Sequence, residues 1–207
     1  MKQPLGVILA GGLATRMGGG DKGRLELSGQ SILDHVLARL QPQVATVALN
    51  ANGDPARFAD LGLPVIADSV EGYAGPLAGV LAGLDWAATQ GADTIVTAAA
   101  DTPFFPCDLV PQLLLAAEDR RYPLALSASQ GADGKVWRQP TFGLWPVALR
   151  HDLRAALDDG LRKVVLWTDK HEAGQAVFPV SDIDPFFNVN TPEELQTARR
   201  LAGEQTR

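Results

Sequence analysis

A glycine-rich, positively charged loop near the amino terminus has the composition of an anion-binding site. Residues 5–10 form an apolar run of strand length that ends at Gly11 and Gly12, where the backbone can turn tightly and approach a ligand. The residues that follow carry more cations than acids, among them Arg16 and Lys22. Exposed backbone N–H groups joined to cations bind phosphates, although glycine-rich turns also occur in α/β proteins without that role. We interpret the loop as a phosphate site.

Two widespread phosphate-binding patterns are not met in this loop. Gly18, Gly20 and Gly23 have the spacing of a dinucleotide fingerprint, but the pattern begins well after the strand, and the next strand is closed by Asn50 instead of an acid. The sequence G-x-x-x-x-G-K-[ST] of a P-loop does not occur anywhere in the chain. The loop therefore predicts a different kind of nucleotide or phosphate site.

Polar side chains follow three further predicted strands. Asn50, Asp68 and Asp101 each come directly after a short apolar run. In an open α/β sheet, ligands bind beyond the carboxyl ends of the strands, so these side chains belong at the same edge as the glycine-rich loop. Mg²⁺ takes few protein ligands and is commonly shared between a carboxylate and a triphosphate. The pattern thus favours a magnesium–triphosphate site, while Asn and Gly after a strand are also ordinary turn residues.

The elements that must position these residues alternate between strand and helix. Beyond the first strand, the patterns predict strands over 44–49, 64–67, 94–100, 124–130, 140–145 (of open orientation), 177–178 and 187–189, and helices over 31–40, 77–89, 108–119, 150–158 and from Thr191 onward. Residues 163–169 fit either a strand or a helix. This alternation predicts a three-layer, mainly parallel, Rossmann-like α/β sheet with right-handed crossovers.

Three glycines spaced four residues apart mark the start of the predicted helix 77–89. Gly75, Gly79 and Gly83 would present one smooth face of that helix. Such a face suits either a ligand that presses against the backbone or close packing of the helix on the sheet. The sequence leaves both interpretations open.

Length and composition restrict the class of protein. The 207 residues, 46% hydrophobic and 20% charged, are enough for a single domain with a sizeable core. A net charge of −6 disfavours a nucleic-acid partner, and no membrane-spanning or signal segment is evident, so we expect a cytoplasmic protein. One cysteine, Cys107, and three scattered histidines indicate neither a disulfide nor a zinc site.

Several short motifs together resemble a known family. The opening Leu9-Ala10-Gly11-Gly12-x-x-x-Arg16-Met17-Gly18 with Asp21-Lys22 is similar to the signature of nucleotidyltransferases with the sugar-nucleotide transferase fold. In the same order follow Asn50-Ala-Asn52, Asp68-Ser69, Gly75-Pro-Leu-Ala-Gly79, Asp101-Thr-Pro103 and Asn188-Val-Asn-Thr-Pro-Glu-Glu-Leu195. Each motif alone is weak, but the set spans nearly the whole chain and resembles the molybdenum cofactor guanylyltransferases.

The resemblance implies a reaction. Molybdenum-molybdopterin attacks the α-phosphorus of GTP, pyrophosphate leaves, and the guanine dinucleotide form of the cofactor results, with Mg²⁺ as the cofactor of the enzyme. It also implies one nucleotidyltransferase domain over residues 1–207 and partner proteins that deliver the molybdopterin or accept the product. Two alternatives stay open: a sugar-phosphate or cytidylyl transferase on the same fold, and a nucleotide-binding module without catalysis.

The resemblance also assigns roles to residues of this chain. Arg16, Lys22 and Asp101 would be the catalytic residues, with Arg16 and Lys22 holding phosphates and Asp101 binding magnesium. Asn190 is expected as a second metal contact, and Asn50 and Asp68 are expected to contact the nucleotide. The guanine would be framed by Leu9, Ala10, Gly11, Gly12, Gly75, Pro76, Leu77 and Gly79.

Overall fold

A twisted sheet with helices on both faces forms the body of the protein. The computed structural model describes residues 2–11, 21–70 and 75–205, and within these ranges the main sheet has seven strands. In chain order they are β1 (Leu5–Leu9), β2 (Val47–Asn50), β3 (Val65–Ile66), β4 (Thr94–Ala99), β5 (Ala125–Gln130), β6 (Val136–Pro146) and β7 (Gly174–Pro179). Their spatial order is β3-β2-β1-β4-β6-β5-β7, and β6 alone of these strands runs antiparallel to its neighbours.

Helices cover the two faces of the sheet and complete three layers. They are α1 (Ile32–Leu40), α2 (Pro76–Thr89), α3 (Leu109–Ala116), α4 (Arg150–Asp158), α5 (Val164–Lys170) and α6 (Pro192–Gln205). The core on one face contains buried side chains of α1 and α3, and the core on the other contains those of α2, α4 and α5. A smaller cluster joins α6 to a short hairpin formed by Glu26–Leu27 and Gln30–Ser31. The predicted three-layer, mainly parallel fold is confirmed.

The central strands are buried on both sides, which agrees with their small and apolar residues. All six residues of β4 are buried, and Val7 and Ile8 of β1 are fully buried against opposite cores. Strands covered on both faces carry continuous apolar runs instead of alternation, which is the pattern of parallel sheets between helix layers. None of the helices in the described part of the chain is long and apolar enough to cross a membrane. The expected cytoplasmic location stays a prediction.

Two helices begin with reciprocal hydrogen bonds between a hydroxyl residue and the acid three positions later. Ser31 caps α1 through its hydroxyl, which accepts from the Asp34 N–H at 3.1 Å, while the Asp34 carboxylate accepts from the Ser31 N–H at 2.9 Å. At the start of α6, the Glu194 carboxylate accepts from the N–H of Thr191 at 2.9 Å, and the Thr191 hydroxyl accepts from the Glu194 N–H at 3.2 Å. Reciprocal bonds of this kind fix where a helix begins.

Four predictions about elements need correction or completion. The strand expected over 187–189 is wrong: this segment joins no sheet, and its Val189 N–H donates to the Asp101 carbonyl at 2.8 Å. Of residues 163–169, which the sequence leaves open, 164–169 belong to α5. The strand expected over 140–145 is the longer, antiparallel β6. The strand over 44–49 begins only at Val47.

Candidate active site

The carboxyl ends of four parallel strands bring the predicted polar residues together. Leu9 of β1 lies in register with Asn50 of β2 and with Ala99 of β4, and Asn50 lies beside Ile66 of β3. Asp68 and Asp101 therefore follow strands that end at the same edge of the sheet as β1, whose last residue, Leu9, precedes the glycine-rich sequence. This is the edge at which open α/β sheets bind ligands.

Asn50 and Asp68 form a hydrogen-bonded pair at this edge. The buried Asn50 amide donates to the Asp68 carboxylate at 3.0 Å and to the Ile66 carbonyl at 3.2 Å. Asn52 donates its amide to the other oxygen of Asp68 at 2.8 Å and accepts from the Asp68 N–H at 2.9 Å. Since Asp68 is half-buried and held by two amides, its carboxylate has a fixed direction.

Two glycines of the predicted guanine frame meet at the side chain of Asn50. A Cβ built on Gly79 would lie 2.2 Å from the Asn50 Oδ1 and 2.9 Å from the Leu9 Cδ2. A Cβ on Gly11 would lie 3.7 Å from the same Asn50 oxygen. Glycine at 79 thus allows α2 to pack directly against the ends of β1 and β2. Close packing of the helix on the sheet is therefore observed at Gly79 and at Gly83, which packs on Val7 and Ile95, while contact of Gly79 with the guanine stays a prediction.

The beginning of α2 offers backbone, and little side chain, to this edge. Gly75 precedes the helix with nothing near its would-be Cβ, and Pro76 occupies the first turn, where its missing N–H costs nothing. The Leu77 side chain is buried in the core, so only its main chain is available to a ligand. Gly79, one turn further along α2, packs against Leu9 and Asn50, which brings the start of the helix to this edge of the sheet.

Lys22 reaches the site from a single turn of 3₁₀ helix. The turn spans Lys22–Arg24, and the Lys22 ammonium donates to the Oδ1 of Asn190 at 2.8 Å. Asn190 is held in turn by its own N–H, which donates to Glu194 at 2.6 Å. A lysine and an amide 168 positions apart are thereby fixed at one place. A pocket opens there, lined by Leu9, Ala10, Asp21, Lys22, Gly23, Leu33, Phe58, Ala100 and Asp101.

Asp101 is a half-buried carboxylate at the mouth of β4. Burial raises its pKa, while the charge of Lys22 and the hydroxyl of Thr102 act in the opposite direction. The Thr102 hydroxyl lies 3.2 Å from the carboxylate and also contacts the Oδ1 of Asn188, which anchors the segment before α6. A carboxylate that loses hydration without a full set of partners is stabilised by a cation.

The donor set at this place suits Mg²⁺. It combines a carboxylate oxygen of Asp101 with the amide oxygen of Asn190, which here accepts from Lys22, and hard oxygen ligands of this kind are those that Mg²⁺ takes. Within residues 2–11, 21–70 and 75–203, no group of three or more His, Cys, Asp or Glu side chains is arranged to hold a metal by itself. Any magnesium here would need further oxygens from a phosphate substrate or from water.

The remaining predicted site residues cannot be placed. Gly12 and Arg16, expected to frame the guanine and to hold phosphates, lie outside the described residues. Leu9, Ala10 and Gly11, by contrast, run directly into the site, and the Ala10 N–H donates to the Asn50 carbonyl at 2.8 Å.

Known proteins match this chain along nearly its whole length. The model of the MobA-like NTP transferase domain matches residues 6–173. The chain belongs to the MobA-like NTP transferase family. A molybdenum cofactor guanylyltransferase of Rhodopseudomonas palustris (strain BisB5) is 52% identical over 95% of this chain and 92% of its own length. One of Bradyrhizobium sp. (strain ORS 278) is 50% identical over 98% of this chain and 94% of its own length.

A solved structure shows the same fold. The molybdopterin-guanine dinucleotide biosynthesis protein A of Archaeoglobus fulgidus superposes with a TM-score of 0.70 and 21% identity, covering 97% of this chain and 99% of that one. The sugar-nucleotide transferase fold expected from the motifs is therefore confirmed for this member of the MobA-like NTP transferases.

Several other residues that contact the candidate site have no role assigned by the sequence motifs. The motifs contain Asn52, Thr102 and Asn188 but indicate no function for them. Nothing in the sequence points to Arg57 or Phe58. Asn52 follows Asn50 by two positions, which is a usable signal because the strand has already ended there. Phe58 lies on a 3₁₀ helix, Pro55–Leu61, whose sequence has no local mark of a binding function.

Proposed function

We propose that this protein transfers GMP from GTP to molybdenum-molybdopterin and releases pyrophosphate, forming the molybdopterin guanine dinucleotide cofactor. The observation that carries the proposal is about 50% identity, over nearly the full chain, to relatives named molybdenum cofactor guanylyltransferase. The site is consistent with this chemistry, since Lys22 and Asp101 line one pocket together with Leu9 and Ala10 at the end of β1. Proteins that deliver the pterin or accept the product are proposed partners on the same ground.

The reaction exchanges one P–O bond for another. An oxygen of the terminal phosphate of molybdopterin forms a bond to the α-phosphorus of GTP, and the bond from that phosphorus to the bridging oxygen of the β-phosphate breaks. Both electrons of the broken bond leave with pyrophosphate. A transfer of this kind is catalysed mainly by positioning and by neutralising charge, so no protein nucleophile is required.

The positions of the residues support the roles proposed for them. Lys22, fixed by Asn190 at 2.8 Å, would hold the phosphates of GTP and stabilise the charge that grows on the leaving group. Leu9 to Gly12 and Gly75 to Gly79 would frame the guanine, a role that is supported by Gly11 and Gly79, which lie beside the Asn50 side chain and carry no side chain themselves. Asp68, whose carboxylate is aimed by two amides, would contact the nucleotide with Asn50 behind it.

Asp101 and Asn190 would hold a magnesium ion at the same edge. When bound, Mg²⁺ offsets the negative charge of the phosphates and of Asp101. The cost of burying Asp101, which raises its pKa, fits a site that is completed by a cation. Arg16, which belongs to the same loop sequence, is proposed as a second phosphate ligand.

A direct assay tests the proposed function. Purified protein is incubated with GTP, Mg²⁺ and molybdenum-molybdopterin, and both pyrophosphate and the guanine dinucleotide product are measured. We expect both products in equal amounts, and we expect ATP and CTP to compete poorly. Preferential use of CTP would point to a cytidylyl transferase, and tight GTP binding without pyrophosphate release would point to a binding module. Either result would refute the proposal.

A further inference from the structure

A short 3₁₀ helix between β2 and β3 is tied to the segment that carries Lys22. Arg24 donates to both carboxylate oxygens of Asp60, at 2.7 and 2.5 Å, and to the carbonyl of Arg57 at 2.8 Å. Asp60 and Arg57 belong to the helix Pro55–Leu61, while Arg24 belongs to the turn Lys22–Arg24. Two pieces of chain more than 30 positions apart are therefore joined beside the pocket.

Arg57 makes a second set of contacts across the same gap. Its Nη2 donates to the carbonyl of Asn52 at 2.6 Å, and its Nε lies 3.4 Å from a carboxylate oxygen of Asp21. Its guanidinium stacks 4.8 Å from the ring centre of Phe58, a buried residue that lines the pocket. A planar guanidinium suits these three contacts at once, whereas an ammonium does not.

The partners of Arg57 belong to the two halves of the site. Asn52 is bonded through its side chain to Asp68, at the end where Asn50 and Gly79 meet. Asp21 is the residue immediately before Lys22 and lines the pocket with it. A continuous chain of contacts thus runs from the expected nucleoside end, through Arg57, to the lysine at the expected phosphate end.

We propose that Arg57 is a positioning residue for the transfer reaction, holding the Asp21–Lys22 segment at a fixed distance from the Asn50–Asp68–Asn52 network. This inference rests on the proposed function and extends it, because it gives a reason why Lys22 lies where GTP phosphates are expected. Arg57 itself touches neither substrate. It acts through Lys22.

The degree of exposure of Arg57 predicts which property should change. Its side chain is 38% exposed and that of Asp21 is 24% exposed, and ion pairs this open to solvent contribute little to stability. A displaced catalytic group, by contrast, lowers rate steeply, by up to about 10²-fold for a shift near 1 Å. Loss of Arg57 should therefore appear in turnover and hardly in melting temperature.

The test compares Arg57→Ala with a matched control, Arg154→Ala. Arg154 is also 38% exposed and pairs with Asp85 at 2.6 Å, between α4 and α2. We expect kcat with saturating GTP to fall about tenfold or more in Arg57→Ala, with the control near wild type and both melting temperatures alike. In a Lys22→Ala background, the further substitution Arg57→Ala should change kcat less than about twofold, because a lysine that is absent cannot be displaced.

Two results would overturn the positioning role. One is a kcat in Arg57→Ala equal to that of Arg154→Ala. The other is an undiminished loss in the Lys22→Ala background, which would mean that Arg57 acts without Lys22. If the wild-type protein transfers no GMP at all, the proposed function fails, and crystal structures still decide the inference. If the 2.8 Å contact between Lys22 and Asn190 is lost in the crystal structure of Arg57→Ala but kept in that of Arg154→Ala, the positioning role is supported. If Arg57→Ala keeps the contact, the positioning role is refuted.

Discussion

The contact between Gly79 and Asn50 makes a quantitative prediction about stability. In Gly79→Ala the new methyl group would be placed 2.2 Å from the Asn50 Oδ1, far inside contact distance, so the Asn50 side chain must move. Asn50 is only 2% exposed and cannot swing into solvent. Its amide would leave both of its acceptors, the Ile66 carbonyl and the Asp68 carboxylate.

The magnitude follows from three opposing effects. Forcing an extra methyl into a packed core costs about 1–3 kcal/mol, and leaving a buried amide without partners costs about 1–3 kcal/mol. Alanine recovers roughly 1 kcal/mol over glycine in a helix interior. Taking the middle of each range gives a loss of about 3 kcal/mol in the free energy of unfolding. The variant should also bind GTP more weakly, because the displaced Asn50 no longer fixes Asp68.

Urea denaturation measures the free energy of unfolding and tests this prediction against a control variant. Gly203→Ala changes a glycine of α6 whose would-be Cβ meets nothing within 4 Å, so it should be neutral or slightly stabilising. A double-mutant cycle isolates the cause: once Asn50→Ala has removed the obstructing amide, Gly79→Ala should cost less than about 1 kcal/mol. If Gly79→Ala keeps wild-type stability, or is equally destabilising without Asn50, then the contact with Asn50 does not govern this position.

Three further predictions concern charged groups. Lys22→Ala should keep the melting temperature and lower kcat by about 10²-fold, with the exposed Lys135→Ala as the unaffected control in the same assay. Asp101→Asn should need far more Mg²⁺ for activity and yet raise the melting temperature of the ligand-free protein near pH 7, where burying the charged carboxylate is costly. Burial alone would raise the pKa of Asp152, but hydrogen bonds from His171, Lys170 and Trp167 outweigh it and hold that pKa below its ordinary value. Its stabilising effect is complete above the ordinary value of 3.8 and lost as pH falls through the depressed one, so Asp152→Asn should flatten acid unfolding, measured by circular dichroism.

Strand ends were the part of the site that sequence could predict. Asn50, Asp68 and Asp101 each follow an apolar run, and the rule that parallel strands end at one edge is enough to gather them. The partners that fix them were out of reach. Asn188 meets Thr102 from 86 positions away, and Lys22 meets Asn190 from 168 positions away. Such contacts depend on how the chain returns after β7, which no local pattern contains.

Element type failed or stayed open where packing overrides local preference. Residues 163–169 are rich in β-branched side chains, yet 164–169 belong to α5. The helix buries Val164, Trp167 and Thr168, which share one helical face, and the Trp167 ring centre lies 6.1 Å from that of Trp145. Residues 187–189 look like a strand because Phe187 and Val189 are apolar. They are apolar for another reason, since both pack in the small cluster beside α6. The sequence does not predict the orientation of β6, because a parallel and an antiparallel strand give the same apolar pattern.

The arrangement around Asp101 shows how the fold sets up the charge of the site before any ligand binds. The carboxylate is half-buried, which is unfavourable, and the nearby Lys22 only partly offsets this because burial still raises the pKa of Asp101. At the same time Lys22 is directed to a neutral amide, that of Asn190. A triphosphate accompanied by Mg²⁺ would satisfy both residues together, since its phosphates suit the lysine and its metal suits the carboxylate. Neither component alone would do so. GTP binding should therefore strengthen at low magnesium concentration in the wild type and only at much higher concentration in Asp101→Asn. Calorimetric titration of GTP at several magnesium concentrations measures this dependence, and equal dependence in the two proteins would remove Asp101 from the metal site.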